Sequence, residues 1–222
     1  MATLVCLPLT QEYIDISDRV IEEIKNPKAK PLRADIERAA DLLIAAILEV
    51  LVIKMLETVE MKPLAKTVVT QLGHLIEKVA AVLVNKVIAK MSNQEVRPLV
   101  EYLNNMECEI EGNRYLSFEL GTTTVKFLMA GYQALDAGKT HEARANLISA
   151  LTESLNEGTI IFYKKPMELL KLGFVARKVV DLGYTSLDKA IRPAIHKIGE
   201  HMELEELKSL KVYIDNLVIE TE

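Results

Sequence analysis

From Ala39 to Met61 the chain reads AADLLIAAILEVLVIKMLETVEM, and no other segment narrows the choice of fold as much. A bilayer-spanning helix needs about 20 mostly apolar residues free of charge, whereas Glu49 and Lys54 interrupt this run. A charge at the bilayer centre costs at least ~2.5 kcal/mol, so the stretch is read as facing protein rather than lipid. Wound as a helix, it gathers Arg38, Asp41 and Glu49 on one narrow side, while Leu43, Ile47, Val50 and Leu51 fill much of the remainder. An apolar arc this wide needs more than one neighbour, which marks a central core helix. Lys54 falls almost opposite the polar side. Its stem is expected to lie on apolar surface with the ammonium in water near the helix end, because a fully buried, functional lysine is the rarer arrangement.

The totals agree with a globular, helix-rich protein. Half of the 222 residues are hydrophobic and 27% charged, with no Trp and only nine Gly, a mixture that excludes wholesale disorder and favours helix. A domain of this size buries roughly 70% of its unfolded surface and needs neither disulfide nor metal to fold. The net charge of −5 is mild and the Lys and Arg are scattered, so a phosphate-tracking surface for nucleic acid is not expected. Cys6 and Cys108, far apart in sequence, suit a reducing compartment, with one long-range disulfide as the alternative. The first residues, MATLVCLPLTQEYIDISD, lack a basic region ahead of their apolar run and do not read as a secretory signal. A cytoplasmic location is the expectation.

Prolines punctuate the chain. Lys30-Pro31-Leu32, Lys62-Pro63-Leu64, Arg97-Pro98-Leu99, Lys165-Pro166-Met167 and Arg192-Pro193-Ala194 share a basic–Pro–apolar pattern that suits the first turn of a helix. Pro98 is the ambiguous one, since Ser92 and Glu95 form a capping-box signature that starts a helix earlier. Helices are expected over residues 10–25, 31–58, 63–91, 166–182 and from 186 onward. The two long ones, 31–58 and 63–91, form an antiparallel hairpin. Near residues 106–120, MECEIEGNRYLSFEL breaks the helical period. A three-residue turn at Gly112, Asn113 and Arg114 would place Met106, Cys108 and Ile110 with Leu116, Phe118 and Leu120 on one face of a β-hairpin. Thr159–Tyr163 (TIIFY) reads either as a third strand or as a buried helix end. The fold class expected is thus mainly α, a bundle of about seven helices with a short β-hairpin. Its organisation is an N-terminal helical half (1–105), the hairpin connection (106–120) and a C-terminal helical half (121–222), together one compact domain.

In the second half, two helices meet at Gly138, with Thr140 as N-cap and Gly158 as stop. Phe127, Gly131, Gly138, Ala143, Leu147 and Ala150 are spaced in a way that resembles one tetratricopeptide unit. No second copy accompanies it, Leu155 stands where that repeat has Pro, and small residues at a helix–helix crossing account for the same pattern. The end of the chain, Leu207, Leu210, Ile214 and Leu217, reads as a core-facing helix.

Signatures of chemistry are sparse. The nearest glycines of a would-be phosphate cradle, Gly131 and Gly138, are too far apart for a P-loop or dinucleotide fingerprint, and no GxSxG elbow exposes a serine. Gln71, Gly138, Pro193 and Ile198 stand three positions before the four histidines, so the Glu-x-x-His of helical di-metal centres is missing. The richest His–carboxylate cluster is His196, Glu200 and His201, whose spacing sends the two histidines to different helix faces; a solvated, charge-rich helix is expected there. Cys108 has no basic neighbour in sequence to lower its pKa and is assigned to packing. Tyr115, Phe118, Tyr132, Phe162, Tyr163, Phe174 and Tyr184 are likewise read as core. No catalytic, cofactor-binding or metal-ligating residue is nominated.

Three functional expectations follow. The first is a non-enzymatic helical protein acting through protein–protein contacts and self-associating as a homo-oligomer, because the apolar arc of the central helix exceeds what one interior covers. The second is a carrier or sensor of an apolar small molecule held in a helical cavity. The third is peripheral attachment to a membrane through the 31–91 hairpin.

Overall fold

The computed structural model describes residues 2–26, 29–200 and 202–221. Among them the chain is 75% helical, with eight helices and a four-stranded antiparallel sheet, the mainly α fold expected. The sheet gathers sequence-distant pieces. Strand β1 (Ala2–Pro8) lies at its centre, flanked by β3 (Asn113–Glu119) and by β4 (Val218–Thr221), and β2 (Glu107–Ile110) forms the far edge beyond β3.

Helix α1 (Gln11–Glu23) is started by Thr10, whose hydroxyl accepts from the Tyr13 N–H at 3.2 Å. It packs beside α2 (Arg33–Leu48), and the exposed ion pairs Arg19–Asp35 and Arg38–Glu12 cross between the two. Pairs this exposed contribute about 0–1 kcal/mol each; register, more than stability, is what they supply. Beyond Leu48 the same helix widens into a π-helical segment, Glu49–Lys54, before a last α-turn at Met55–Thr58. Lys54 is exposed, as its position near the helix end suggests.

Helix α3 (Pro63–Lys86) begins with Pro at its first position and is followed by a 3₁₀ turn, Ile88–Lys90. This stretch, Pro63–Lys90, is long and apolar enough to cross a membrane by length and composition. In the fold it packs against both α2 and the seventh helix. Its Gly73 lets the π segment approach, since a Cβ there would stand 3.0 Å from Val52 Cγ2. Ser92 and Glu95 close the expected capping box on α4 (Asn93–Asn104), leaving Pro98 inside the helix.

The hairpin β2–β3 forms where the helical period fails, with a different register from the one expected. Ile110 pairs with Asn113, so the turn is the two residues Glu111 and Gly112, both at positive φ (51° and 77°), as a type I′ turn requires. Shortening a turn by one residue exchanges the faces of a strand. Cys108 therefore shares a face with Tyr115 and Ser117, not with Leu116 and Phe118, and Glu107 turns inward.

Helices α5 (Thr122–Asp136) and α6 (Thr140–Thr159) form a closely packed pair joined through Gly138 at φ 71°. A Cβ on Gly131 would stand 2.8 Å from Leu147, the small-residue crossing anticipated for this region. Helix α6 starts at Thr140 without a side-chain cap, and Gly158 does not stop it. It runs on through a second π-helical segment, Ile160–Lys164, to Lys165–Leu169. TIIFY is thus the helical alternative and not a strand, and Pro166 lies just past the wide turn.

The boundary expected between residues 182 and 186 is also absent: α7 (Phe174–Gly199) continues through Gly183 and Pro193. Gly183 serves as a gap, because a Cβ there would overlap the Tyr163 hydroxyl. The last helix, α8 (Leu204–Asp215), is capped by Glu203 with Glu206 and buries Leu207 and Leu210 completely, worth about 1.5–3 kcal/mol each. Core residues form three clusters, one under α3, α4 and α7, one under α5, α6 and α8, and one against the sheet.

Candidate functional site: a central apolar cavity

The three clusters are bridged at their edges by Leu42, Leu103, Leu151 and Leu217. Between them lies a cavity of about 340 Å³. The arc of α2 that looked excessive in sequence forms one wall through Leu43, Ile47 and Leu51, with Val50 buried behind. Leu72, Ile76 and Leu83 of α3 form a second wall, and Leu151 and Leu155 of α6 a third. Strands β1 and β3 contribute Val5, Leu7 and Phe118, with the Phe118 ring edge-on to Phe162 at 5.4 Å. Leu187, Ile191 and Ile195 of α7 close another side.

Both π-helical segments border this space: Leu51 and Val52 from the first, Phe162 and Tyr163 from the second. A π turn shifts the hydrogen-bond register of a helix, and such turns occur frequently at functional sites. Each has a carbonyl served by a tyrosine from elsewhere. Tyr213 donates to Val50 O at 3.0 Å, and Tyr102 donates to Ile161 O at 3.1 Å.

The polar atoms on the lining are mostly committed to protein. Thr124 donates to Glu157 Oε1 at 2.7 Å, Thr159 to Leu155 O at 2.7 Å and Tyr163 to Val180 O at 2.9 Å. Glu157 also accepts the Gly121 N–H at 3.0 Å, so one carboxylate holds the first turn of α5. Ser154, by contrast, borders the cavity with its hydroxyl unpaired among the described residues.

A polar spot adjoins the α1 side. Tyr13 and Ser17 border the cavity, and Ser17 Oγ donates to Glu107 Oε1 at 3.2 Å. The Glu107 side chain is only 5% exposed; its Oε2 lies 3.5 Å from Arg114 Nη2 and accepts no hydrogen bond. Burial raises the Glu107 carboxyl above its ordinary value despite the Arg114 charge. Burial, together with the neighbouring Glu107, pushes the Tyr13 phenol up to about 12. Arg114 is itself held by Asp18 at 2.8 Å.

The residues singled out in sequence for chemistry lie elsewhere. His196 and Glu200 are exposed at the end of α7, and His201 lies outside the described residues. Among the described residues no three His, Cys, Asp or Glu side chains group as a metal site. Cys6 and Cys108 are free thiols on the sheet face away from the cavity, and burial and the nearby Cys108 push Cys6 up to about 11. Of the aromatics read as core, Phe174 is 74% exposed. Sequence reasoning missed Tyr213 and Tyr102; their only signal was a buried-type aromatic on an amphipathic helix, which does not announce a carbonyl partner.

Comparison of the chain with protein-family models, with curated proteins and with solved structures finds no match.

Proposed function

We propose that this protein is a carrier or sensor that binds an apolar small molecule in the central cavity. The observation that carries the reading is the lining: aliphatic and aromatic side chains from opposite ends of the sequence converge on about 340 Å³, within the ~300–1,000 Å³ of small-molecule sites. Apolar walls of this kind are poorly satisfied by water, and an apolar occupant would remove them from it. The apolar arc of α2, which in sequence argued for a protein partner, is directed at this space.

The lining also constrains the occupant. With no cationic side chain among the cavity-lining residues, a carboxylate or phosphate buried there would stand unpaired, which is strongly unfavourable. The ligand class is therefore uncharged and predominantly hydrocarbon, with at most a hydroxyl or carbonyl to meet Ser154.

Native mass spectrometry of the freshly purified protein, set against its denatured mass, tests this. A monomer with a discrete extra mass extractable into organic solvent is the expected result. Ligand-free protein titrated with long-chain alcohols, isoprenoid alcohols and sterols should gain about 5–10 °C in Tm near 100 times Kd. The double variant Ile76→Phe, Leu151→Phe should lose that gain while raising the Tm of the empty protein. No added mass and no thermal shift with any of these probes would overturn the reading, and a dimer without extra mass would return the argument to self-association.

A further inference from the structure

The outward side of α7 is unlike the rest of the surface. Phe174, Val175 and Leu182 are 74%, 75% and 69% exposed. On a helix of about 3.6 residues per turn, they share one arc with Lys178, Lys189 and Arg192, all exposed. Among the described residues, no Asp or Glu of α7 falls within that arc. Asp181 and Asp188, both exposed, lie to one flank of it, and the Asp181 charge helps to raise the Tyr163 phenol. The Lys178 ammonium sits 4.4 Å from the centre of the Phe174 ring, which ties the basic and apolar parts of the surface together.

The surroundings extend the pattern. From residue 164 to residue 197 there are eight Lys and Arg against three acidic residues, in a chain whose formal net charge is −5. Leu169, just before α7, is also exposed. The opposite sign gathers on α1 and the β2–β3 hairpin, with Glu12, Asp15, Asp18, Glu22 and Glu23, then Glu109 and Glu111.

We infer that the outward face of α7 docks onto an anionic lipid surface, with Phe174, Val175 and Leu182 entering the interface and Lys178, Lys189 and Arg192 meeting lipid phosphates. Three large apolar side chains between basic ones is the composition of an interfacial helix. A nucleic-acid backbone would use the charges but give Val175 and Leu182 nothing to bury against, whereas an anionic bilayer offers phosphate and hydrocarbon side by side. The inner face of the same helix lines the cavity through Leu187, Ile191 and Ile195, so docking brings the cavity wall within one helix diameter of the membrane. The inference does not depend on the cavity being occupied, and its test uses ligand-free protein.

The experiment is flotation of the intact protein with vesicles of phosphatidylcholine alone and with about 30% phosphatidylserine, since anionic lipid attracts basic segments. The expected result is flotation with the anionic vesicles and little with the neutral ones. Phe174→Ser with Leu182→Ser, and separately Lys178→Glu with Lys189→Glu, should each reduce the partition coefficient at least ~10-fold, as each lysine near such a surface contributes about fivefold. Because all four side chains are exposed, circular dichroism and Tm should stay at the wild-type values. Absence of flotation, equal flotation with neutral vesicles, or indifference to the charge reversal would each overturn the inference. So would an apolar double variant that floats like the wild type, which is the behaviour of a general polyanion-binding surface.

Discussion

The Tyr213 hydroxyl donates to the carbonyl of Val50 at 3.0 Å, across the floor of the cavity from α8 to the first π segment. Tyr102 holds Ile161 in the second segment in the same manner. A wide helical turn frees a carbonyl, and a buried carbonyl without a donor costs about 1–3 kcal/mol. Tyr213→Phe and Tyr102→Phe should therefore each destabilise by about 1–2 kcal/mol, the Tyr213 change by more because Tyr213 is the more buried. Urea titration gives the energies. Amide exchange should accelerate at residues 49–54 in the first variant and at 160–164 in the second; uniform acceleration in both would mean the hydroxyls do not hold the π turns.

Glu111 occupies the left-handed region at φ 51°, where a side chain with a Cβ is strained and Asn or Gly is favoured. Glu111→Asn should stabilise the protein by about 0.5–1 kcal/mol without altering the hairpin register. A loss of stability would show that the Glu111 charge, rather than its backbone, matters at this turn.

Glu107 has its proton affinity raised in the folded state above the ordinary value near 4.5. The folded chain then binds more protons than the unfolded chain just above that pH, so this group's contribution to stability falls as pH rises from about 4.5 through the raised value. Glu107→Gln keeps an acceptor for Ser17 and removes the titration. The Tm of the Gln variant relative to wild type should be greater near pH 7 than near pH 4.5. A difference independent of pH would place the carboxylate in a solvated setting.

Cys6 is 4% exposed and its thiol is pushed up to about 11, so little thiolate exists near neutrality. Iodoacetamide at about pH 8 should label Cys108 in the native protein and reach Cys6 only in denaturant, as read by peptide mass. Comparable labelling of both would mean that the outer face of the sheet opens readily.

Local signals survive into the fold and non-local ones do not. Ser92 and Glu95 stop one helix and start another because both partners lie within one turn. Pro193 and Gly183 fail as boundaries because α7 is held by Leu187, Ile191 and Ile195 on a long shared core, which outweighs single-residue propensity. The hairpin was legible as a hairpin, but its register hung on one residue of turn length, and a Glu at positive φ is a poor advertisement for a two-residue turn. Strand β1 escaped notice since Leu4 and Cys6 on one face are as apolar as Val5 and Leu7 on the other, so no alternation shows. The arc of α2 revealed an apolar surplus without its destination. Whether such a surface meets another protein or encloses space depends on Leu72, Ile76 and Leu151 standing back from it, which is a property of distant segments.

In the register of the sheet, Val5 stands opposite Val218, and both border the cavity. The wall of the cavity beside β1 is consequently completed by a segment far away in sequence. A growing polypeptide exposes β1 and the helices around it well before β4 exists, and pairing over so long a sequence separation is intrinsically slow. During that interval the interior lacks its cover beside β1. Until β4 pairs, Val5 and the apolar side chains behind it stay uncovered, so the order in which the strands pair is also the order in which this interior is shielded from water.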